Sequence, residues 1–385
     1  MTEPVAIDVS KGINNRLRDK RFPPGFVDDA VNVDYDDAGM AQTRMGTELL
    51  TVVDTGRQMW SDGNVIYYVA DTGLYTYDPF NNESTLLRDG IGPSRVQFVS
   101  TARGVYFSNE TENGRVLDGT LYPFSVPTPN APELSLSGGR LFEGAYLVKV
   151  SFVGEDGEEG APSESAWLDV SSEGGIVVNI QESDYVARVY CSPANDRDIY
   201  WQFDVPKGKT QAVITSVRAS VPCETDRAEG FQPTPVFERF GGRLACAYGR
   251  TLRLSFPHRL GLTDVYPSFR LGSDITLVAG TTDGIYASTE NNGTWFIDFV
   301  TDPAHPMPRQ VLGHGAIKGS LAHISDRHNV VAWISQIGGV VIAGAGGEVT
   351  EKTRDYFTPQ IPFGSVESLY REIDGIRQLV FSCRG

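Results

Sequence analysis

The chain has 385 residues, among them 41 glycines and 22 prolines, and carries a formal charge of −16 from 33 basic and 49 acidic side chains. A chain of this length buries a substantial core and has room for more than one domain, and its turn-forming composition without long helical patterns favours an all-β architecture. The charge excludes a general basic footprint for nucleic acid, since an acidic surface repels a phosphate backbone.

In chain order, the opening MTEPVAIDVSKG lacks the basic-then-apolar pattern of a signal peptide. Residues 1–40 read as an irregular docking arm. Pro23-Pro24-Gly25 stiffens and turns the backbone, and FVDDAVNV after it is compatible with one helical turn. Lys11, Arg16, Arg18, Lys20 and Arg21 cluster here. A charged arm of this kind is either a solvated segment or a docking segment for another subunit. The second use makes these five residues the candidate partner-docking set. DYDDAG, from Asp34, resembles the start of a calcium loop, but the required bidentate Glu is replaced by Met45, so an Asp-rich turn is the better reading.

From Met45 the pattern becomes strand-like, with TELLTVV leading into GNVIYYVADTGLYTYDP at residues 63–79. An apolar run, the turn Asp71-Thr72-Gly73 and the alternating Leu74-Tyr75-Thr76-Tyr77 make a β-hairpin, with Tyr67, Tyr75 and Tyr77 as candidates for packing between sheets. Similar hairpins begin at Ala102, Gly241, Thr281, Val330 and Asp374. Gly63 to Gly104 is about 41 residues and Gly242 to Gly284 about 42, the period of four-stranded propeller blades. Gly284 to Gly338 is longer, at about 54, and Gly338 to Gly375 shorter, at about 37. Gly104 to Gly242 spans about 138 residues, which leaves an insertion of about 95 after one period is subtracted.

The insertion follows the Pro-rich linker YPFSVPTPNAPEL. GAYLVKVSFV, the acidic turn GEDGEEG, GGIVVNI, ARVYCSP, WQFDVPKG and QAVITSV supply about seven short strands, the pattern of a β-sandwich. Without Cys-Trp-Cys spacing, the fibronectin-III-like form is preferred to the immunoglobulin-like one. The expected layout is an arm at 1–40, propeller at 41–130, sandwich at 131–222 and propeller again at 223–385. The expected fold is an all-β propeller of roughly five or six blades, interrupted by that sandwich. It is expected to close by pairing an N-terminal strand with RQLVFSCRG, because an open propeller leaves an exposed strand edge.

Chemical motifs are sparse. GxSxG, HExxH and GxxxxGK[ST] do not occur. No catalytic, metal or cofactor residues are assigned, and no cofactor is expected. His305, His314, His323 and His328 match no zinc spacing, and the 4 cysteines (Cys191, Cys223, Cys246 and Cys383) are scattered without CxxC spacing. STENNGTWF, from Ser288, resembles the Asp-box turn of sialidase-type propellers, with Glu290 and Asn292 in place of the Asp and first Gly; a β-turn before a core Trp295 is the simpler reading. An uncharged run of about 18 residues from Val330 splits around Gln336-Ile337-Gly338-Gly339 into two buried strands, not a membrane span.

The order Gly12-Ile13-Asn14-Asn15, Pro23-Pro24-Gly25, Ala30-Val31-Asn32-Val33-Asp34, Gly39, Arg44, Gly46 resembles the opening of bacteriophage tail proteins of the β-propeller nozzle type, also called tail accessory or stabilisation proteins. TWFIDFVTDPAHPMPRQVLGHGAIKGS and VAWISQIGGVVIAGAGGEVTEKT add further echoes. The resemblance implies a non-enzymatic virion protein made in the bacterial host cytoplasm. It implies a ring of about six copies that extends the DNA ejection channel. Implied neighbours are a tail adaptor or portal-proximal protein and a tail fibre or tailspike, with genome DNA passing through without specific binding. The alternative is a glycan-binding or sialidase-like propeller, which needs an arginine cluster and a tyrosine nucleophile brought together in space.

Overall fold

The computed structural model describes residues 11–16, 23–27, 30–31, 33–35, 40–44, 53, 55–266, 268–302, 305–324, 329–353, 355, 366–373 and 376–383. Among them the fold is all-β, with one 3-10 turn, Ala345–Gly347, as the helical element. Among the described residues no helix is long and apolar enough to cross a membrane.

The repeating unit is an antiparallel meander in which consecutive strands pair. The first contains Gly56–Ser61, Ile66–Ala70, Gly73–Asp78 and Glu83–Arg88; the second contains Gln97–Thr101, Gly104–Ser108, Asn113–Leu117 and Thr120–Tyr122. The third contains Phe237–Phe240, Arg243–Tyr248, Thr251–Phe256 and Arg259–Asp264, with Ala228–Gly230 added at its outer edge. The fourth contains Ile275–Gly280, Gly284–Thr289, Thr294–Asp298 and Pro308–Leu312; the fifth contains Ala322–His323, Val331–Ile334, Val340–Ala343 and Val349–Lys352.

The glycine spacing follows from this plan. Gly104 and Gly284 open the second strands of their meanders, and Gly63 and Gly242 lie in the preceding turns. Gly104 sits at φ 105 with Val116 O only 2.3 Å from where a Cβ would stand, so no other residue fits there. Gly338 lies one turn later, between the second and third strands of the fifth meander. That shift explains both the long spacing before it and the short one after it.

The meanders stack face to face in chain order, each pair around its own apolar core. Tyr67, Val69 and Leu74 of the first meet Phe98, Val105 and Phe107 of the second. Val99 and Tyr106 then meet Phe237 and Leu244, Ala245 and Leu252 meet Val278 and Ile285, and Tyr286 and Phe296 meet Trp333 and Val341. The alternation of each strand supplies both faces, which is why the inner meanders read as near-continuous apolar runs. Of the three tyrosines expected between sheets, Tyr67 is there. Tyr77 is buried on the opposite face, donating to Asn82 Oδ1 at 3.0 Å, and Tyr75 stacks on Tyr68 with centroids 5.1 Å apart.

Between the second and third meanders stands a seven-stranded sandwich. One sheet orders Glu133–Leu141, Gly174–Asn179, Gln211–Ile214; the other orders Ala166–Val170, Gly144–Val153, Val186–Cys191, Tyr200–Val205. Val148, Val150, Val189 and Val205 from the second sheet share a core with Ile176, Val178 and Ile214 from the first.

At the chain ends, Gly12–Ile13 pairs in parallel with Phe26–Val27, so the start of FVDDAVNV is strand and not a helical turn. Val33–Tyr35 pairs with Ala41–Thr43, and Val366–Ile373 with Ile376–Cys383. Among the described residues the two ends share no ladder. They meet through side chains instead.

Candidate functional site

The candidate docking residues divide. Lys11 is exposed; its aliphatic stem packs over Gly25, and its ammonium lies 5.7 Å from the Phe26 ring centroid. Arg16 is exposed, and its backbone N–H donates to Asn14 Oδ1 at 3.1 Å. Arg18, Lys20 and Arg21 lie outside the described residues. Asn14, 3% exposed, anchors the element by donating its own N–H to Val27 O at 2.8 Å.

Asp34 is the link from this arm to the far end of the chain. Its carboxylate meets Arg44 Nε at 3.1 Å and Arg371 Nη2 at 3.2 Å. A hydrogen bond from Gln378, then Arg44 and Arg371, hold this carboxyl below its ordinary range. Asp34, the first residue of DYDDAG, is thus an arginine partner, and residues 36–39 of that stretch lie outside the described residues.

The densest charge constellation was not singled out from sequence. The acidic turn at residues 154–160 reaches from the sandwich onto the second meander. Arg115, with 2% of its side chain exposed, lies between Asp156 and Glu158; its contact with Glu158 is 2.9 Å. The guanidinium also covers the Tyr122 and Tyr106 rings, 5.2 Å and 5.8 Å from their centroids. Burial raises the pKa of Glu158 against the opposing pull of Arg115, and burial likewise raises that of Tyr106. Beside it, Glu159 accepts from Tyr190 OH at 2.6 Å and Ser151 Oγ at 2.7 Å, with Arg188 at 3.1 Å and Arg259 of the third meander at 3.6 Å. The sandwich is therefore held on two meanders by one turn. The run GEDGEEG was the only sequence signal, because so many carboxylates in one turn require cationic neighbours once buried.

Two further contacts cross the stack. Arg95 clamps Glu367 of the C-terminal hairpin at 2.9 and 3.0 Å, and Glu238 of the third meander meets His323 of the fifth at 3.2 Å. Both join sheets that are not neighbours in chain order.

His314 meets Glu351 at 2.6 Å and Ser335 Oγ at 3.0 Å, a Ser-His-Glu string that invites comparison with a nucleophilic triad. Ser335 is 0% exposed and accepts the Ile337 N–H at 3.2 Å, so the string ties a turn to a strand and presents no nucleophile to a substrate. His305 and His323 stand elsewhere with their own carboxylates, and His328 lies outside the described residues. Among the described residues no group of His, Cys, Asp and Glu is placed to hold a metal ion. The turn at residues 288–296 is a hairpin held by Thr289 Oγ1 donating to Gly293 O at 2.8 Å and Trp295 Nε1 donating to Asn292 O at 3.1 Å. A cavity of about 630 Å³ opens between the linker at Ser125–Thr128 and the third meander, with Tyr248, Thr251 and Arg253 on its walls. Arg253 is already paired with Glu229 there.

No protein-family model matches the chain, and no curated protein matches it significantly. Among solved structures, the WD40 domain of Neurospora crassa Pan2 is similar at TM-score 0.36 and 10% identity, covering 85% of this chain and 86% of that one. The β-propeller domain of Myceliophteria thermophila Cps50 (Swd1) gives 0.33 and 11%, covering 86% and 99%. A chain of the mitotic checkpoint complex gives 0.35 and 11%, covering 95% and 97%. At these scores nothing about function is carried from those proteins to this chain.

Proposed function

We propose that the chain is a non-catalytic structural protein of a phage tail. In this reading it is a β-propeller of roughly five or six blades that assembles with copies of itself and neighbouring tail proteins around the DNA ejection channel. The meanders are its blades, the hairpins of the two chain ends contribute the closing blade, and the sandwich is a fibronectin-III-like module inserted between the second and third blades.

The observation that supports this reading most is the use made of the N-terminal motif. The residues that carry the resemblance to tail nozzle proteins are also structural anchors: Asn14 is buried, Gly25 turns at φ 93 beneath Lys11, and Asp34 binds Arg44 and Arg371. A motif spent on anchoring the arm to the C-terminal hairpin suits a chain whose ends must be fixed for assembly. The arrangement of the remaining charge suits a scaffold as well, since the ion pairs described above join sheets or modules to one another. A conduit for DNA should not add phosphate contacts, because each one adds sequence-independent affinity, and an acidic ring meets that requirement.

Deleting residues 1–22 tests the reading. The truncated chain is expected to melt as a folded protein yet fail to enter tail particles. Normal incorporation of the truncated chain refutes the role of the arm, and turnover of aryl glycosides by the intact chain refutes the structural reading.

A further inference from the structure

Among the described residues the third meander is unlike the others in having its fourth strand position divided. Thr251–Phe256 pairs through Thr251 and Leu252 with Phe269–Arg270, and through Ser255 and Phe256 with Arg259–Asp264. Ala228–Gly230 extends only the second of these partners. The chain leaving for the sandwich runs against this outer edge. It comes so close that a Cβ on Gly261 would stand 2.6 Å from Phe124 O, so glycine is required there. Ser125 pins it by accepting the Phe231 N–H at 3.1 Å. The cavity of about 630 Å³ opens at this place, and its size is that of a small-molecule site.

Its lining leaves polar groups free. Arg253, with 23% of its side chain exposed, has no side-chain partner but Glu229 among the described residues. That carboxylate takes up two of the five guanidinium N–H donors at most. The Thr128 and Thr251 hydroxyls and the Gln232 side-chain amide also line the cavity, and among the described residues they make no hydrogen bond. Tyr248 adds an aromatic ring, held by its OH donating to Gln232 O at 2.7 Å. The charges of the wall cancel: Glu229 opposes an anion, and Arg253 opposes a cation. The ligand this wall suits is uncharged, donates and accepts at adjacent positions, and has an apolar face.

We propose that the cavity is a binding site for a neutral saccharide, a hexose or a short oligosaccharide. Each sugar hydroxyl both donates and accepts, which matches Arg253 and Glu229 standing together, and the C–H face of the ring matches Tyr248. Glu229 is the one carboxylate among the lining residues and is tied to Arg253. The site therefore binds without the pair of carboxylates that glycoside cleavage uses. Ser125–Thr128 leads to the sandwich and Glu229–Gln232 returns from it, and both line the cavity, so a bound sugar holds the two connections together. The inference goes beyond the structural reading above and does not depend on it.

Saturation-transfer NMR on the full chain with maltose, cellobiose and lactose, each alone at millimolar concentration, tests this. Transfer to at least one of them is expected, and that disaccharide is expected to raise the melting temperature. Its affinity is expected to be the same at about 0.05 and 0.5 M salt, because the ligand has no charge to screen. Glucuronate is expected to bind more weakly than glucose. Glu229→Gln with Arg253→Gln removes both charges together, and Thr251→Met places a longer apolar side chain in the cavity. Each variant is expected to weaken the disaccharide at least about tenfold, with thermal melts showing that it is folded. No transfer to any of the three disaccharides, tighter binding of glucuronate than of glucose, or unchanged binding by either folded variant overturns the proposal. These outcomes are read on the isolated chain, so they stand apart from the incorporation test of the structural reading.

Discussion

At the sandwich junction, Arg115 has 2% of its side chain exposed and lies between Asp156 and Glu158. At the chain-end junction, Arg371 is 29% exposed and meets Asp34 alongside Gln378. Both use arginine against carboxylate. Their cations separate them, since the Asp34 and Asp156 side chains are each only 9% exposed: Arg115 cannot be lost without stranding two carboxylates, whereas Arg371 is reached by solvent and Asp34 keeps Arg44 when it is removed. The first kind fixes how two modules sit on each other. The second tolerates exchange, which suits the docking role proposed for the chain ends.

The largest expected effect comes from breaking the deep junction. Arg115→Ala leaves two carboxylates in a site built around a cation, and urea unfolding should show a loss of about 3–5 kcal/mol. A loss like that of an exposed arginine would remove the distinction between the junctions. Replacing the whole constellation sharpens it: Arg115→Met with Asp156→Asn and Glu158→Gln should recover most of the lost stability, because no uncompensated charge remains. If the triple variant is as unstable as Arg115→Ala, the lost packing over Tyr106 and Tyr122 matters more than the charge.

Arg371→Ala should cost clearly less than Arg115→Ala, because Asp34 keeps Arg44, and should cost less still in high salt, where the partly exposed guanidinium is already screened. Native-state hydrogen exchange would place the change in Val366–Ile373 and its partner strand. A global loss equal to that of Arg115→Ala would mean that the ends are as tightly locked as the sandwich.

Acid provides the smallest effect and the most diagnostic sign. The Asp34 carboxyl is held below its ordinary value of 3.8, so its contribution is present above that value and is lost as pH falls through its folded pKa. Glu158 is raised above 4.5, so the folded state binds its proton before the unfolded state does, and its contribution grows as pH falls through the raised pKa. Stability measured across the carboxylate range should therefore change slope in one direction with Asp34→Asn and in the other with Glu158→Gln. Equal slopes for the two variants would contradict the assigned environments.

Much of the architecture was legible because it is local. The turn at Asp71-Thr72-Gly73, the paired strands around Gly338-Gly339 and the acidic hairpin of the sandwich each declare themselves within about a dozen residues by period and turn chemistry. The contacts that position modules were not legible. Arg115 and Asp156 are 41 positions apart and Asp34 and Arg371 are 337 apart, and one sequence has no pattern that couples residues at such distances. The same limit explains why Tyr75 was expected between sheets: alternation says that Tyr67 and Tyr75 face opposite sides in their registered strands, but not which side has a neighbour. The closing ladder expected at the ends is not seen among the described residues, where the ends meet through side-chain contacts for which strand propensity gives no signal.

The central claim is that this chain is a structural element arranged in a ring on a tail axis. Electron microscopy of purified tailed particles, with the chain located by an antibody, tests it most directly. The account predicts copies encircling the axis at the distal end of the channel. Particles that lack the chain, or that carry it as single appendages away from the axis, would contradict it.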